Sequence, residues 1–131
     1  MFLNCEKGKV MHLGKNNQKH IYTMLDTCNN NLTTLEKTSS ERDLGIIINE
    51  DLKCHQQSQT AASKGNQILS MLRRTFHRLD VNLTRLLYCS FVRPRLEFCS
   101  TVWNPNHKGD IELVEKVQRR ARQKSHTKPS V

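Results

Sequence analysis

One segment of this chain, residues 58–103, constrains its fold more than any other, because its apolar residues recur at the spacing of an α-helix. The first series consists of Ala61, Gly65, Ile68, Leu69, Leu72 and Phe76. Later series consist of Leu83, Leu86, Leu87, Ser90 and Phe91, and then of Leu96, Cys99 and Trp103. Residues three and four positions apart share one face of a helix. The segment therefore predicts three helices that must each pack an apolar face against something.

Helix boundaries follow from residues that interrupt these series. Pro94 lacks an amide proton, so it kinks a helix or starts a new one. Asp110 has the side chain of an N-cap and precedes a fourth apolar series. We predict helices over about 53–78, 82–93, 94–102 and 111–123. Gly65 lies on the apolar face of the first helix, where it is either tolerated or required by the close approach of another helix.

Extended segments precede the helices. The segment from Leu44 to Ile48 predicts the clearest strand, because its three consecutive isoleucines have β-branched side chains that favour extended backbone, and this strand should be covered on both faces. The apolar segments 10–13 and 20–25 flank a turn rich in Gly and Asn and predict a hairpin. The fold class expected is α+β: an N-terminal β-hairpin plus one strand within 1–50, a mostly α four-helix region over 53–123, and a disordered C-terminal tail.

Positive charge is concentrated in the helical part of the sequence. The chain holds 21 Lys and Arg against 12 Asp and Glu, a formal net charge of +9. Residues 1–51 hold six basic and seven acidic side chains, whereas residues 52–131 hold fifteen and five. Such an excess over successive helices favours a polyanionic partner, most simply a nucleic-acid backbone. The alternative is a solvated face whose charges only maintain solubility.

The cysteines and the lengths of the apolar runs indicate the cellular compartment of the protein. The five cysteines are odd in number, widely spaced and without a C-x-x-C pair, which favours reduced thiols over a disulfide framework. No run approaches the ~20 apolar residues of a membrane span, and the N-terminus turns polar too early for a secretory signal. We expect an intracellular protein of the nucleus or cytoplasm, without a membrane partner.

Catalytic and metal-binding patterns are not recognisable in this sequence. The aspartates are isolated from one another, whereas a Mg²⁺ site needs closely grouped carboxylates. Potential zinc ligands lack the short-spaced pairs typical of zinc sites, namely Cys54, His55, Cys89, Cys99 and His107. We interpret Cys89 and Cys99 as small apolar residues of the helix faces, and Tyr88 as a core residue instead of a stacking platform. No catalytic residue, metal or cofactor is expected.

Four sequence patterns occur in order along the chain up to about residue 122. They are Phe2-x-Asn4-x-Glu6-Lys7-x-Lys9-Val10-Met11-His12-Leu13-Gly14, Glu41-Arg42-Asp43-Leu44-Gly45-Ile46, Leu87-Tyr88-x-Ser90-x-Val92-Arg93-Pro94-x-Leu96-Glu97-Phe98-Cys99-Ser100-x-Val102-Trp103-Asn104-Pro105, and Asp110-Ile111-x-Leu113-x-Glu115-x-Val117-Gln118-Arg119-Arg120-Ala121. In this order and spacing they resemble the C-terminal part of a reverse transcriptase from a non-LTR (LINE-type, jockey/CR-like) retrotransposon. The chain departs from that pattern at Gly8, where relatives usually have Cys, and after Ala121.

The resemblance implies a role for each part of the chain. Residues 1–51 would form a palm edge and primer grip, and the primer-grip-like residues would be Leu44, Gly45 and Ile46. Residues 52–105 would form a thumb-like helical region, 106–124 a C-terminal helix and 125–131 a disordered tail. In the family the thumb follows the backbone of the template–primer hybrid. We therefore expect nucleic-acid binding along one shared flank by Lys64, Arg73, Arg74, Arg78, Arg93 and Arg95.

By the same resemblance, the chain begins after the position of the family's catalytic Asp-Asp pair. The parent RNA-directed DNA polymerase would use Mg²⁺, whose ligands are missing here, so we expect no polymerase activity. The expected residual activity is weak, sequence-independent binding to an RNA–DNA hybrid or duplex that falls with salt. Apolar surface left without the rest of the palm would favour self-association. A helical protein–protein interaction module and a relic without function remain as alternatives.

Overall fold

The computed structural model describes residues 4–26 and 29–123. The chain divides into two compact units, Met1–Lys53 and Cys54–Val131. Short strands build the first unit and helices build the second, so the predicted α+β class is confirmed. The predicted disordered tail, 125–131, lies outside the described residues.

Three two-stranded sheets make up the described part of the N-terminal unit. Strand β1 (Lys9–Val10) pairs in parallel with β4 (Glu36–Lys37), and β2 (Thr23–Asp26) pairs antiparallel with β3 (Asn31–Thr34). A hairpin is therefore present, but the predicted pairing of 10–13 with 20–25 is wrong. Asn30, directly before β3, has a φ of 52°, a left-handed conformation that asparagine tolerates.

The second hairpin joins β5 (Ser40–Asp43) to β6 (Ile46–Asn49) through a two-residue turn. Leu44 and Gly45 both have positive φ, 47° and 85°, as tight hairpins require. The predicted strand is present from Ile46 onward, but the two residues before it form the turn. Only Ile46 is buried and the next two isoleucines are half-buried, so the expected cover on both faces is incomplete.

The helical unit begins with α1 (His55–Thr75) and ends with α5 (Lys108–Gln123). Between them lie α2 (Val81–Leu87), a π-helical segment (Tyr88–Val92), α3 (Arg93–Glu97) and α4 (Ser100–Trp103). The predicted helix over 94–102 is broken, because Cys99 adopts a left-handed φ of 51°. The indole of Trp103 donates a hydrogen bond of 2.6 Å to the carbonyl of Phe98 and closes this break.

A single core holds the helical unit together. Its buried members are Ala62, Leu69, Leu72, Leu87, Val92, Leu96, Val117 and Ala121. Helix α1 lies across α5 and α3 at Gly65, where an added Cβ would come within 3.1 Å of the side chains of Leu96 and Val117. Gly65 is therefore a close-approach residue, which resolves the choice that the sequence leaves open.

The π-helical segment changes which residues face this core. The amide of Arg93 donates to the carbonyl of Tyr88, five residues earlier, and Pro94 cannot donate to the preceding turn at all. A π turn holds one extra residue, so it rotates the following side chains relative to the preceding ones. Val92 is fully buried in consequence, whereas Phe91 and Cys89 are exposed. The predictions that Phe91, Cys89 and Cys99 lie on the apolar faces are wrong.

Candidate nucleic-acid interface

The basic residues of α1 leave the helix in different directions. Lys64 and Arg73 are nine residues apart, which is about two and a half turns and places them on opposite sides. Arg73 points to α5, where its guanidinium donates a hydrogen bond of 2.8 Å to the carbonyl of Arg120. Arg120 in turn donates to the side-chain oxygen of Asn66, at 3.0 Å. Arg73 and Arg120 therefore bridge α1 and α5 as well as carrying charge.

A shallow concavity of about 690 Å³ runs along α1 and reaches Leu113 of α5. Its polar lining comes from Gln59, Ser63, Asn66, Gln67, Ser70, Arg74 and Thr75. Arg74 is the single charged side chain among the residues lining it. This surface offers hydrogen-bond donors and acceptors, but little of the charge that phosphate binding requires.

A second concavity, which we name the tyrosine groove, has a volume of about 730 Å³. It runs between the α2–π–α3 segment and α5, and it is lined by Val81, Thr84, Arg85, Tyr88, Cys89, Arg93, Glu97, Gln118, Ala121 and Arg122. Three guanidinium groups and one carboxylate line it, so its formal charge is positive by two. Spacing explains the grouping: Arg85, Tyr88 and Cys89 are three and four residues apart on one helix face.

Two charge effects define the electrostatics of the groove. Glu97 accepts a hydrogen bond of 2.7 Å from Nε of Arg93, which raises the pKa of Arg93 further above its already high value. Burial raises the pKa of the Tyr88 phenol, and the charge of Glu97 adds to that effect. The groove therefore presents cationic guanidinium groups beside a phenol that stays neutral at physiological pH.

The predicted binding residues do not form one flank. Of the six, only Arg93 lines the tyrosine groove. Arg74 lines the shallow concavity along α1. Arg95 is two residues from Arg93 and so faces another side of the short helix α3, while Arg78 is exposed beyond the end of α1. Sequence analysis missed Arg85 and Arg122 and interpreted Tyr88 as core. Tyr88 does pack partly on the core, but its remaining surface lines the groove.

A buried carboxylate lies elsewhere in the helical unit. Asp110 is buried, and its Oδ1 lies 2.5 Å from Nδ1 of His55. The side-chain amide of Gln59 donates to Nε2 of the same imidazole, at 2.9 Å, which places the ring proton on Nδ1. This contact joins the starts of α1 and α5. The predicted N-cap role of Asp110 is wrong, because α5 begins two residues earlier, at Lys108.

Metal ligands are not gathered anywhere in the described residues: no three His, Cys, Asp or Glu side chains lie close enough to hold an ion. The primer-grip-like residues Leu44, Gly45 and Ile46 form the tip of the β5–β6 hairpin, where the Leu44 side chain is 85% exposed. No helix within the described residues is both long and apolar enough to cross a membrane.

No protein-family model, curated protein or solved structure matches this chain. The likeness to the non-LTR reverse transcriptases therefore stays a prediction based on the four sequence patterns.

Proposed function

We propose that the helical unit is a non-catalytic module that binds a nucleic-acid backbone without regard to base sequence, derived from the thumb region of a non-LTR reverse transcriptase. The observation that carries the binding proposal is uncompensated positive charge. Residues 54–123 hold twelve Lys and Arg against five Asp and Glu. The origin is supported by the four sequence patterns, and a family-type Tyr/Phe-x-Asp-Asp motif encoded upstream would strengthen it.

The acidic residues of the unit are largely committed to internal contacts. Glu97 pairs with Arg93 and Glu115 with Arg119, at 2.7 and 2.8 Å, and Asp110 contacts His55. Asp80 accepts a hydrogen bond from the amide of Leu83 and caps α2. Basic side chains therefore outnumber acidic ones within residues 54–123, and phosphate is the anion whose geometry suits guanidinium groups.

The test measures affinity against salt for labelled single-stranded, duplex and RNA–DNA hybrid oligonucleotides. Neutralising about three phosphates of a single strand should reduce affinity roughly 20-fold between 50 and 200 mM salt, because bound cations displace counterions. Scrambling the base sequence should leave affinity unchanged. Affinity that does not respond to ionic strength would overturn the proposal.

A protein-interaction module is the second candidate, and exposed apolar side chains favour it. Leu86, Phe91 and Phe98 of the helical unit are each more than half exposed, and such residues are enriched at interfaces when they form a patch. This function predicts a stoichiometric complex that survives nuclease treatment. Loss of the complex on nuclease digestion would instead indicate that the partner is a nucleic acid.

A further inference from the structure

We infer that the tyrosine groove accommodates one nucleotide of a single strand, with its base against the ring of Tyr88 and its phosphates on Arg85 and Arg122. This inference rests on the proposed function and names its substrate class. It also changes the partner expected from the sequence, which is an RNA–DNA hybrid or duplex. Three properties of the groove carry it: charge, an aromatic wall and shape.

The groove contains one ion pair and two further guanidinium groups. Glu97 already accepts from Arg93, so this pair contributes little net charge. Arg85 on α2 and Arg122 on α5 line the same groove, and Arg85 contacts no carboxylate within the ion-pair limit of 4.0 Å among the described residues. A phosphodiester between them would receive charge-assisted hydrogen bonds from guanidinium groups.

The aromatic wall is what a base requires beyond phosphate contacts. Proteins that bind single strands combine a cationic groove with aromatic rings on which bases stack. Tyr88 lines the groove between Arg85 and Arg93. Because burial raises the pKa of its phenol, the ring carries no charge that would repel a phosphate at physiological pH.

Shape separates a single strand from a duplex. A volume of about 730 Å³ lies within the range of sites that hold small ligands, roughly 300–1,000 Å³. The bases of a duplex are paired and stacked inside it, so they cannot reach the wall of a groove. A duplex would instead need a row of cations along one surface, and Lys64 and Arg73 lie on opposite sides of α1.

The experiment measures binding of the full chain to a fluorescent 12-nucleotide oligothymidylate, to the same backbone with abasic sites, and to a 12-base-pair duplex. We expect the single strand to bind at least 10-fold more tightly than the abasic strand and the duplex. Tyr88→Leu should lose about 10-fold in affinity for the single strand, whereas Tyr88→Phe should retain wild-type affinity.

Charge variants test the position of the phosphates. Arg85→Gln should weaken single-strand binding and reduce the slope of log K against log salt by about 0.7, the loss of one phosphate contact. Arg42→Gln is the matched control, because Arg42 lies in β5 of the N-terminal unit and does not line the groove; its effect on affinity should be under twofold. Equal losses in the two variants would overturn the assignment to the groove.

The outcomes separate the inference from the function on which it rests. Salt-dependent binding that is equal for single strand, abasic strand and duplex would overturn the groove while leaving the proposed function in place. Absence of salt-dependent binding to every oligonucleotide would overturn both. Because the abasic comparison uses the unmodified protein, it decides the stacking even if Tyr88→Leu fails to fold.

Discussion

The two units of this chain differ in how much apolar surface they bury. In the described N-terminal unit the buried side chains are Cys5, His12 and Ile46, while Ile21 and Leu32 are 70% and 72% exposed. The helical unit collects eight buried residues into one continuous core. Two-stranded sheets cannot cover an apolar face by themselves, whereas crossing helices interlock along theirs. The comparison teaches that stability resides in the helical unit.

Charge separates the same two regions. Residues 1–53 hold seven basic and seven acidic side chains, and ion pairs such as Lys9–Glu41, at 3.0 Å, lie at the surface of that unit. Residues 54–123 hold twelve and five. The unit with the better core is therefore also the more cationic one.

Truncating one leucine in each unit should give the largest difference in unfolding free energy. Leu96→Ala removes a buried side chain that contacts Gly65 and should cost about 2–5 kcal/mol of unfolding free energy. Leu32→Ala, at an exposed position of β3, should change stability by less than about 0.5 kcal/mol. Urea unfolding followed by circular dichroism at 222 nm measures both. Similar losses in the two variants would break the comparison.

Breaking a buried contact should have a smaller effect. His55→Ala leaves the carboxylate of Asp110 buried without its imidazole partner and should cost about 1–3 kcal/mol. The matched change in the other unit is Lys9→Gln, which breaks the exposed pair with Glu41 and should leave the urea midpoint unchanged. A destabilisation by Lys9→Gln as large as that by His55→Ala would show that the N-terminal unit is held more firmly than its burial indicates.

Replacing two different glycines of the helical unit by alanine should change the unfolding free energy in opposite directions. Gly65→Ala gains about 1 kcal/mol of helix propensity, but its methyl group would sit 3.1 Å from two core side chains, and overpacking costs about 1–3 kcal/mol. We expect net destabilisation of about 1 kcal/mol. Gly109→Ala, in the first turn of α5, meets nothing within 4 Å and should stabilise the protein. Differential scanning fluorimetry would show opposite shifts in Tm.

The smallest predicted effect depends on pH. Because burial raises the pKa of Tyr88 above its ordinary 10.0, its contribution to stability is complete below pH 10 and is lost as pH rises through the folded-state pKa. Unfolding free energy of the wild type should therefore fall more steeply above pH 10 than that of Tyr88→Phe. Parallel curves for the two proteins would contradict the burial of the phenol.

Local signals in the sequence account for much of the fold. The 3.6-residue period from Ala61 to Leu72 locates α1 to within three residues at each end, because a long helix with one apolar face is specified by its own residues. The pairing of the strands in the hairpins could not be predicted from such a period. The four residues of β2 and the four of β3 are too few to specify their partner, and the two-residue strands β1 and β4 are too short to show an alternation of apolar and polar residues.

Net charge predicts a polyanion partner, which stays a prediction, and Arg93 was among the residues expected to bind it. The position of the tyrosine groove, which Arg93 lines, could not be predicted from the sequence. The groove itself joins α2, the π-helical segment and α5, which are separated by up to about 40 residues in sequence. Arg122 and Arg85 line the same groove only because of the way α5 packs against the other helices. Residue spacing along the chain does not predict that packing.

By itself the sequence determined that α1 and α5 are helical, where the chain is cationic and which face of α1 is apolar, because each of these properties depends on neighbours within a few residues. Tertiary structure alone decided that Val92 and not Phe91 enters the core, and that Tyr88 lines a groove between three arginines. The physical reason is the π turn before Pro94: one extra residue turns every later side chain of that segment to a different side, and only packing against α1 and α5 shows which side is covered.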